Sequence, residues 1–372
     1  MTATIIDADG HVDEPRSVWQ DYAEPAYRDR MIQLVRGQDG LDKLKIEGKV
    51  LGDGTLNFAA ACIPKALTDA GRSKTLTWDD VPAGGYDPQA RLAIMDQEGI
   101  EVAFLYPSLW LMFGDIQNPQ VAAAACRAYN NWMTDFCRVQ PDRLHGAAPV
   151  PLQDPVEAAT ETRRVAKLGM PAVIIRPEPY NNRRLNDPAY EPFWAAAQEC
   201  NVAVILHGGF GSSMESFSKG RYTNPFFNHM ICHPFEQMAA CMDIICGGVL
   251  EKFPKVRVAF FESGAGWLAY WLQRMDDHYE KMGRFAPWLK KKPREYFRAQ
   301  CFISLDANDG QLMKSLVELG VEDCIVWGSD YPHFDCTFPG VLQEVKDSVA
   351  GLSARAQQKI IGENAVRLYQ MT

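Results

Sequence analysis

With 372 residues and 47% hydrophobic side chains, the chain can fill one large core; it is long for an ordinary domain but suits a single α/β barrel with insertions. A net charge of −9 leaves no basic stripe for nucleic acid or an anionic membrane surface, so the expected partner is a small molecule. No run of about 18 apolar residues occurs and the first residues lead directly into a strand pattern, which predicts a soluble, cytoplasmic protein without a membrane contact.

Residues 4–14 read Thr-Ile-Ile-Asp-Ala-Asp-Gly-His-Val-Asp-Glu. The β-branched start predicts a buried strand over 4–9, and the two-residue spacing of Asp9 and His11 aims both side chains the same way from its end. A carboxylate and a neutral imidazole projecting together form half of a divalent-metal site; a turn cap beside a surface histidine is the plainer alternative. Residues 12–85 lack sustained periodicity, apart from an alternation around Gly48 within 42–54 that reads as a small hairpin. An excursion of this length is expected to be a cap over the active face of the barrel.

From 87 onward the pattern becomes regular. Helices are predicted at 88–98, 121–139, 155–167, 188–199, 234–253, 266–282 and 310–319, alternating with strands at 101–107, 144–150, 172–176, 202–207, 256–261, 300–305 and 323–328. With the first strand this makes eight βα units, which points to a closed (β/α)8 TIM barrel with insertions after strands one and five, in one domain over 1–372. The second insertion, 208–233, is expected to be an active-face loop. No Gly-x-Gly-x-x-Gly follows the first strand, so a dinucleotide fold is disfavoured. Ten cysteines without any Cys-x-x-Cys read as buried reduced thiols.

Reactive groups of such barrels sit at the carboxyl ends of the strands. Strand one ends in Asp9 and His11, strand five in His207, strand six in Glu262, and strand eight runs Gly-Ser-Asp330-Tyr-Pro-His333. Each has a dull reading, as a helix cap or a satisfied core histidine, but closure of the barrel would bring all of them to one mouth.

These marks, together with Leu-His207-Gly-Gly and Trp-Gly-Ser-Asp330-Tyr-Pro-His, resemble the amidohydrolase superfamily over nearly the full length, specifically the amidohydrolase-related group that includes aminocarboxymuconate-semialdehyde decarboxylase. The resemblance implies a divalent metal, zinc first and manganese or iron after it, held as one or two ions by Asp9, His11, His207 and Asp330. It also implies that a dimer is common. In the decarboxylases the first-strand residue is usually His or Glu and strand six ends in a catalytic His, where this chain has Asp9 and Glu262. Hydrolytic relatives often bridge two ions with a carboxylated Lys from strand four; Arg176 stands at that end here, although Glu262 itself could bridge two ions.

On this basis the expected activity is hydrolysis: metal-activated water attacks a carbonyl carbon, with Asp330 or Glu262 passing the proton to the leaving group. Non-oxidative decarboxylation of an aromatic or enol-type acid is the alternative, and a metal-free binding protein on an enzyme barrel the third reading. Arg176 is expected to pair a substrate carboxylate or to form a structural salt bridge. His233 is a candidate proton carrier or second-metal ligand, with Glu14 and His333 as similar candidates; the His229–His233 spacing alone is a weak zinc motif. Tyr106, Trp110, Phe113, Phe210, Phe217, Phe226 and Phe227 are expected to line an apolar pocket or to be loop core. A stripe of Trp267, Tyr270, Trp271 and Met275 reads as barrel packing or a dimer surface.

Overall fold

The computed structural model describes residues 4–51, 57–68, 75–209, 212–306 and 310–371, with the side chains of 311 and 312 excepted. Eight parallel strands form the central sheet, in the order β1 (Ile6–Val12), β5 (Val102–Pro107), β6 (Leu144–Pro149), β7 (Ala172–Ile175), β8 (Ala203–His207), β9 (Arg257–Phe261), β10 (Cys301–Leu305) and β11 (Ile325–Trp327). The numbers skip because β2 (Gln33–Arg36), β3 (Asp42–Ile46) and β4 (Lys49–Val50) form a separate three-stranded antiparallel sheet. Strands buried on both faces, such as Ala-Val-Ile-Ile in β7 and Ala-Val-Ile-Leu-His in β8, carry continuous apolar runs because helices cover the outside and side chains fill the inside. The molecule is a (β/α)8 TIM barrel.

The barrel closes where its first and last strands meet. Backbone bonds cross that junction from Asp330 N–H to Asp9 O (2.9 Å) and from His11 N–H to Tyr331 O (2.8 Å). Buried Asp7 accepts from Ser329 N–H and Ser329 Oγ–H at 2.9 and 2.6 Å, also across the junction. Gly328 belongs here for a steric reason: a Cβ at that position would collide with Asp9.

The helices start on a repeated local device. Asp87-Pro88, Asn118-Pro119, Asp154-Pro155, Asp187-Pro188 and Asn224-Pro225 each place an acceptor side chain at the N-cap and Pro in the first turn. Several boundaries differ from the periodicity. The stretch predicted as one helix over 234–253 is Pro234–Cys246 followed by Val249–Lys252, because Gly248 takes a left-handed φ of 84° between them. The first strand continues past Asp9 to Val12, with a bulge between Asp7 and Gly10 that inserts one extra residue just before His11. The predicted hairpin is β3–β4, turning at Glu47 and Gly48, with β2 added on its other side; positions 52–54 of that prediction lie outside the described residues. On helix Trp267–Met282 the buried positions are Leu268, Leu272 and Met275, whereas Tyr270 is exposed. No helix among the described residues is long and apolar enough to cross a membrane.

Candidate active site

Asp9, His11, His207 and Asp330 converge at the carboxyl end of the barrel. His207 Nε2 lies 3.2 Å from His11 Nε2 and 3.4 Å from Asp9 Oδ1. His11 Nε2 lies 3.6 Å from Asp9 Oδ1 and 3.3 Å from Asp330 Oδ1. Two groups of potential metal donors result, Asp9–His11–His207 and His11–Asp330–His333, and His11 is common to both.

The hydrogen bonds settle which ring nitrogens point inward. His11 Nδ1 is 2.9 Å from Pro107 O and His207 Nδ1 is 3.0 Å from Gly208 O; a carbonyl only accepts, so both rings carry the proton on Nδ1. Both Nε2 lone pairs therefore face each other across 3.2 Å. Asp9 Oδ1 points at the same place and is buried without a hydrogen bond, and Asp330 Oδ1 meets only imidazole nitrogens, of His11 at 3.3 Å and of His333 at 2.7 Å. Facing lone pairs beside carboxylate oxygens repel one another, and a divalent cation among them removes the repulsion, so the donor set fits a metal. Burial, reinforced by the neighbouring His333 and His207, holds His11 well below its ordinary pKa, as a neutral ligand requires. For His207 burial acts downward, but the Asp9 and Glu262 carboxylates outweigh it and raise the pKa.

Glu262 stands outside this ligand set. Its Oε2 approaches His207 at Nδ1 (3.3 Å), the nitrogen turned away from the facing pair, and His233 Nδ1 at 3.4 Å. It belongs to neither donor group, although the sequence marked it as a ligand. Burial pushes its carboxyl up to about 8. Both acids at strand ends, Glu262 and Asp330, adopt a left-handed φ of 54°; for a non-glycine residue this costs on the order of 1–2 kcal/mol and is concentrated at working sites. His233 is buried, with neither ring nitrogen hydrogen-bonded, and burial keeps it neutral by lowering its pKa well below the ordinary value.

His333 backs the other acid. Its Nδ1 is 2.7 Å from Asp330 Oδ1, its Nε2 is 3.0 Å from Ser108 Oγ, and its ring packs on His11 with centroids 4.0 Å apart.

Two adjoining cavities open here. One, of ≈ 370 Å³, is bounded by Asp9, His233, Glu262, Asp306, Asp330 and Asp335 among others. The second, of ≈ 90 Å³, is bounded mainly by Phe58, Ala61, Cys62, Leu109, Leu111 and Met112, and shares Glu262 and Asp335 with the first.

The remaining expected site residues are placed elsewhere. Arg176 is fully buried and clamped by Glu178 through Nε (3.1 Å) and Nη2 (2.5 Å), with Leu111 O and Gly209 O taking further donors; it offers no free fork to a substrate. Trp110 is buried against Trp19 and Tyr129 and donates Nε1–H to Ala125 O, in the core behind the cavities. Tyr106 and Phe113 are core as well, whereas Phe217, Phe226 and Phe227 are exposed; Phe210 lies outside the described residues. Glu14 accepts the backbone N–H groups of Ser108, Leu109 and Trp110, capping the turn Leu109–Asp115. His229 Nε2 lies 3.5 Å from Asp335 Oδ2 at the cavity edge.

The lining residues that were not anticipated include Ser108, Asp306 and Asp335. Two of them had a signal, because Asp306 immediately follows β10 and Ser108 immediately follows β5, positions where the strand-end rule also applies.

Comparison with known proteins gives consistent results. A family model described as Amidohydrolase matches residues 6–371. The 2-amino-3-carboxymuconate-6-semialdehyde decarboxylase of Dictyostelium discoideum is 24% identical over 84% of this chain and 83% of its own. The gamma-resorcylate decarboxylase of Rhodococcus jostii (strain RHA1) is 28% identical over 83% of this chain and 96% of its own. A dihydroxybenzoic acid decarboxylase from Polaromonas sp. JS666, solved with bound manganese and the inhibitor 2-nitroresorcinol, superposes with a TM-score of 0.70 at 20% identity, covering 99% of this chain and 97% of that one.

Proposed function

The chain belongs to the amidohydrolase family, and within it we propose that it is a metal-dependent, non-oxidative decarboxylase of a small arene carboxylic acid. The observation that carries the reading is the position of Glu262: it lies behind His207 and outside both donor groups, as suits a proton donor rather than a ligand shared by two ions. Decarboxylases among the relatives add support. The hydrolytic reading drawn from Asp9 and Glu262 is weaker on both counts, and a metal-free binding protein is disfavoured by the facing imidazole lone pairs.

Asp9, His11, His207 and Asp330 would hold the ion, which supplies a Lewis acid for the substrate carboxylate and a neighbouring oxygen. Manganese is favoured over zinc because two of the four donors are hard carboxylates and the Polaromonas decarboxylase carries it. Glu262 retains a proton through burial and delivers it to the carbon that loses CO2, which keeps the electron pair of the broken C–C bond. Neutral His233 packs beside Glu262, with its Nδ1 3.4 Å from Oε2. Solvent reaching the larger cavity restores the proton to Glu262.

The test is turnover of 2-hydroxybenzoates by the manganese-loaded protein in D2O. Release of CO2 with one deuterium at the vacated carbon is expected. Hydrolysis of ester or amide analogues without CO2 from any acid would return the site to the hydrolases.

A further inference from the structure

We infer that the substrate is a mono-acid, with one carboxylate and an otherwise uncharged body whose ring substituent is apolar. This rests on the decarboxylase reading and narrows it. Among the described residues that line the two cavities there is no Lys or Arg, whereas Asp9, Glu262, Asp306, Asp330 and Asp335 all do so. Among the described residues near this mouth, the guanidinium of Arg176 is held by Glu178 and two backbone carbonyls, and that of Arg91 by the carbonyls of Gly84, His11 and Tyr331. A divalent ion offsets the charges of its ligands Asp9 and Asp330. Asp335, with His229 Nε2 3.5 Å from its Oδ2, then faces whatever part of the substrate projects from the ion.

A second carboxylate, sulfonate or phosphate would meet like charge in a partly enclosed space, with no Lys or Arg among the described lining residues to pair it. An uncharged ring meets no such penalty. The smaller cavity supplies the complementary attraction, since Phe58, Ala61, Leu109, Leu111 and Met112 present hydrocarbon beside Glu262. A cavity of about 150 Å³ takes benzene. At ≈ 90 Å³ this one suits a substituent such as methyl or methoxy rather than a second ring.

The experiment measures binding separately from turnover. Manganese-loaded protein is titrated with 2-hydroxybenzoate, its 3-methyl derivative, and two diacids, 4-hydroxyisophthalate and 2-hydroxyterephthalate; the Mn(II) EPR spectrum reports occupancy. The mono-acids are expected to bind about fivefold more tightly than either diacid, the order expected for one solvent-exposed like-charge contact of about 1 kcal/mol. Asp335→Asn is expected to narrow that ratio by improving the diacids alone. A diacid that binds as tightly as the mono-acids overturns the inference, whether or not CO2 is released. The expected binding order without CO2 from any acid would remove the reaction while the charge preference stands. If none of the acids perturbs the spectrum, both fall together.

Discussion

The Nδ1 of His333 lies 2.7 Å from the Oδ1 of Asp330, on the same oxygen that faces His11. This contact fixes the direction of a carboxylate that otherwise has no hydrogen bond at that atom. Removing partners of this kind costs about 10–100-fold in metal affinity or activity. His333→Ala is therefore expected to lower manganese affinity or kcat by that order, and His333→Asn, whose amide can stand in for Nδ1–H, to recover part of it. Equal loss in both variants would mean that ring packing on His11, not the contact to Asp330, is what matters.

Glu262→Gln separates ligation from proton delivery. Because Glu262 lies outside both donor groups, manganese binding by calorimetry should be nearly unchanged while CO2 release falls by about 10²–10⁴-fold, the range for a general acid. A variant that loses the ion would place Glu262 among the ligands instead.

Metal removal should loosen the whole barrel, since Asp9 and Asp330 flank its junction. An ion at 100 times its dissociation constant adds about 2.7 kcal/mol, which corresponds to a Tm shift of about 3–4 °C for a chain of this size. Chelation should lower Tm by that order in the native protein and leave His207→Asn unaffected. An identical Tm with and without chelator would show that the ion does not bind this junction.

Glu236 predicts a pH dependence of stability. Burial pushes its carboxyl up from 4.5 to about 7, and the Phe217 N–H it accepts at 2.5 Å only partly opposes this. The folded state thus holds this proton more tightly than the unfolded state. Its contribution is fully present below pH 4.5 and is lost as pH rises through 7. Glu236→Gln keeps an acceptor for Phe217 and should flatten that fall, read as Tm against pH; an unchanged profile would assign the dependence to other groups.

Arg176→Met tests whether this residue belongs to the scaffold. It strands the buried Glu178, so a loss of about 3–5 kcal/mol in stability is expected, with little specific change in substrate KM in the protein that folds. A well-folded variant with only KM raised would restore Arg176 to the substrate.

The barrel and its four metal-ligand candidates were legible because both depend on short-range rules: β-branched runs alternating with helical periods, and polar residues at strand ends. The errors share a different cause. A residue just beyond a strand can turn into the cavity or back into the packing, and only its partner decides. Arg176 turns back because Glu178, two positions on, and the Leu111 carbonyl receive it. Trp110 turns back because its indole N–H finds Ala125 O. The slot residues Phe58, Ala61 and Cys62 come from the excursion between β1 and β5, where no periodicity announced which side chains would reach the mouth. On helix Trp267–Met282, large aromatics drew attention to a stripe that is partly exposed, while the smaller Leu268 and Leu272 make the packing.

The junction between β1 and the segment after β11 carries a consequence for how the protein acquires its activity. Asp9 and Asp330 come from opposite ends of the barrel's strand order, so joining them requires closure of a loop that spans most of the chain, among the slowest contacts to form. Helices and most of the sheet can be in place in an intermediate that has not joined these strands. Such a species would carry nearly native circular dichroism yet have only half of its ion-binding groups in position, so catalytic competence, and not secondary structure, marks the last step of folding.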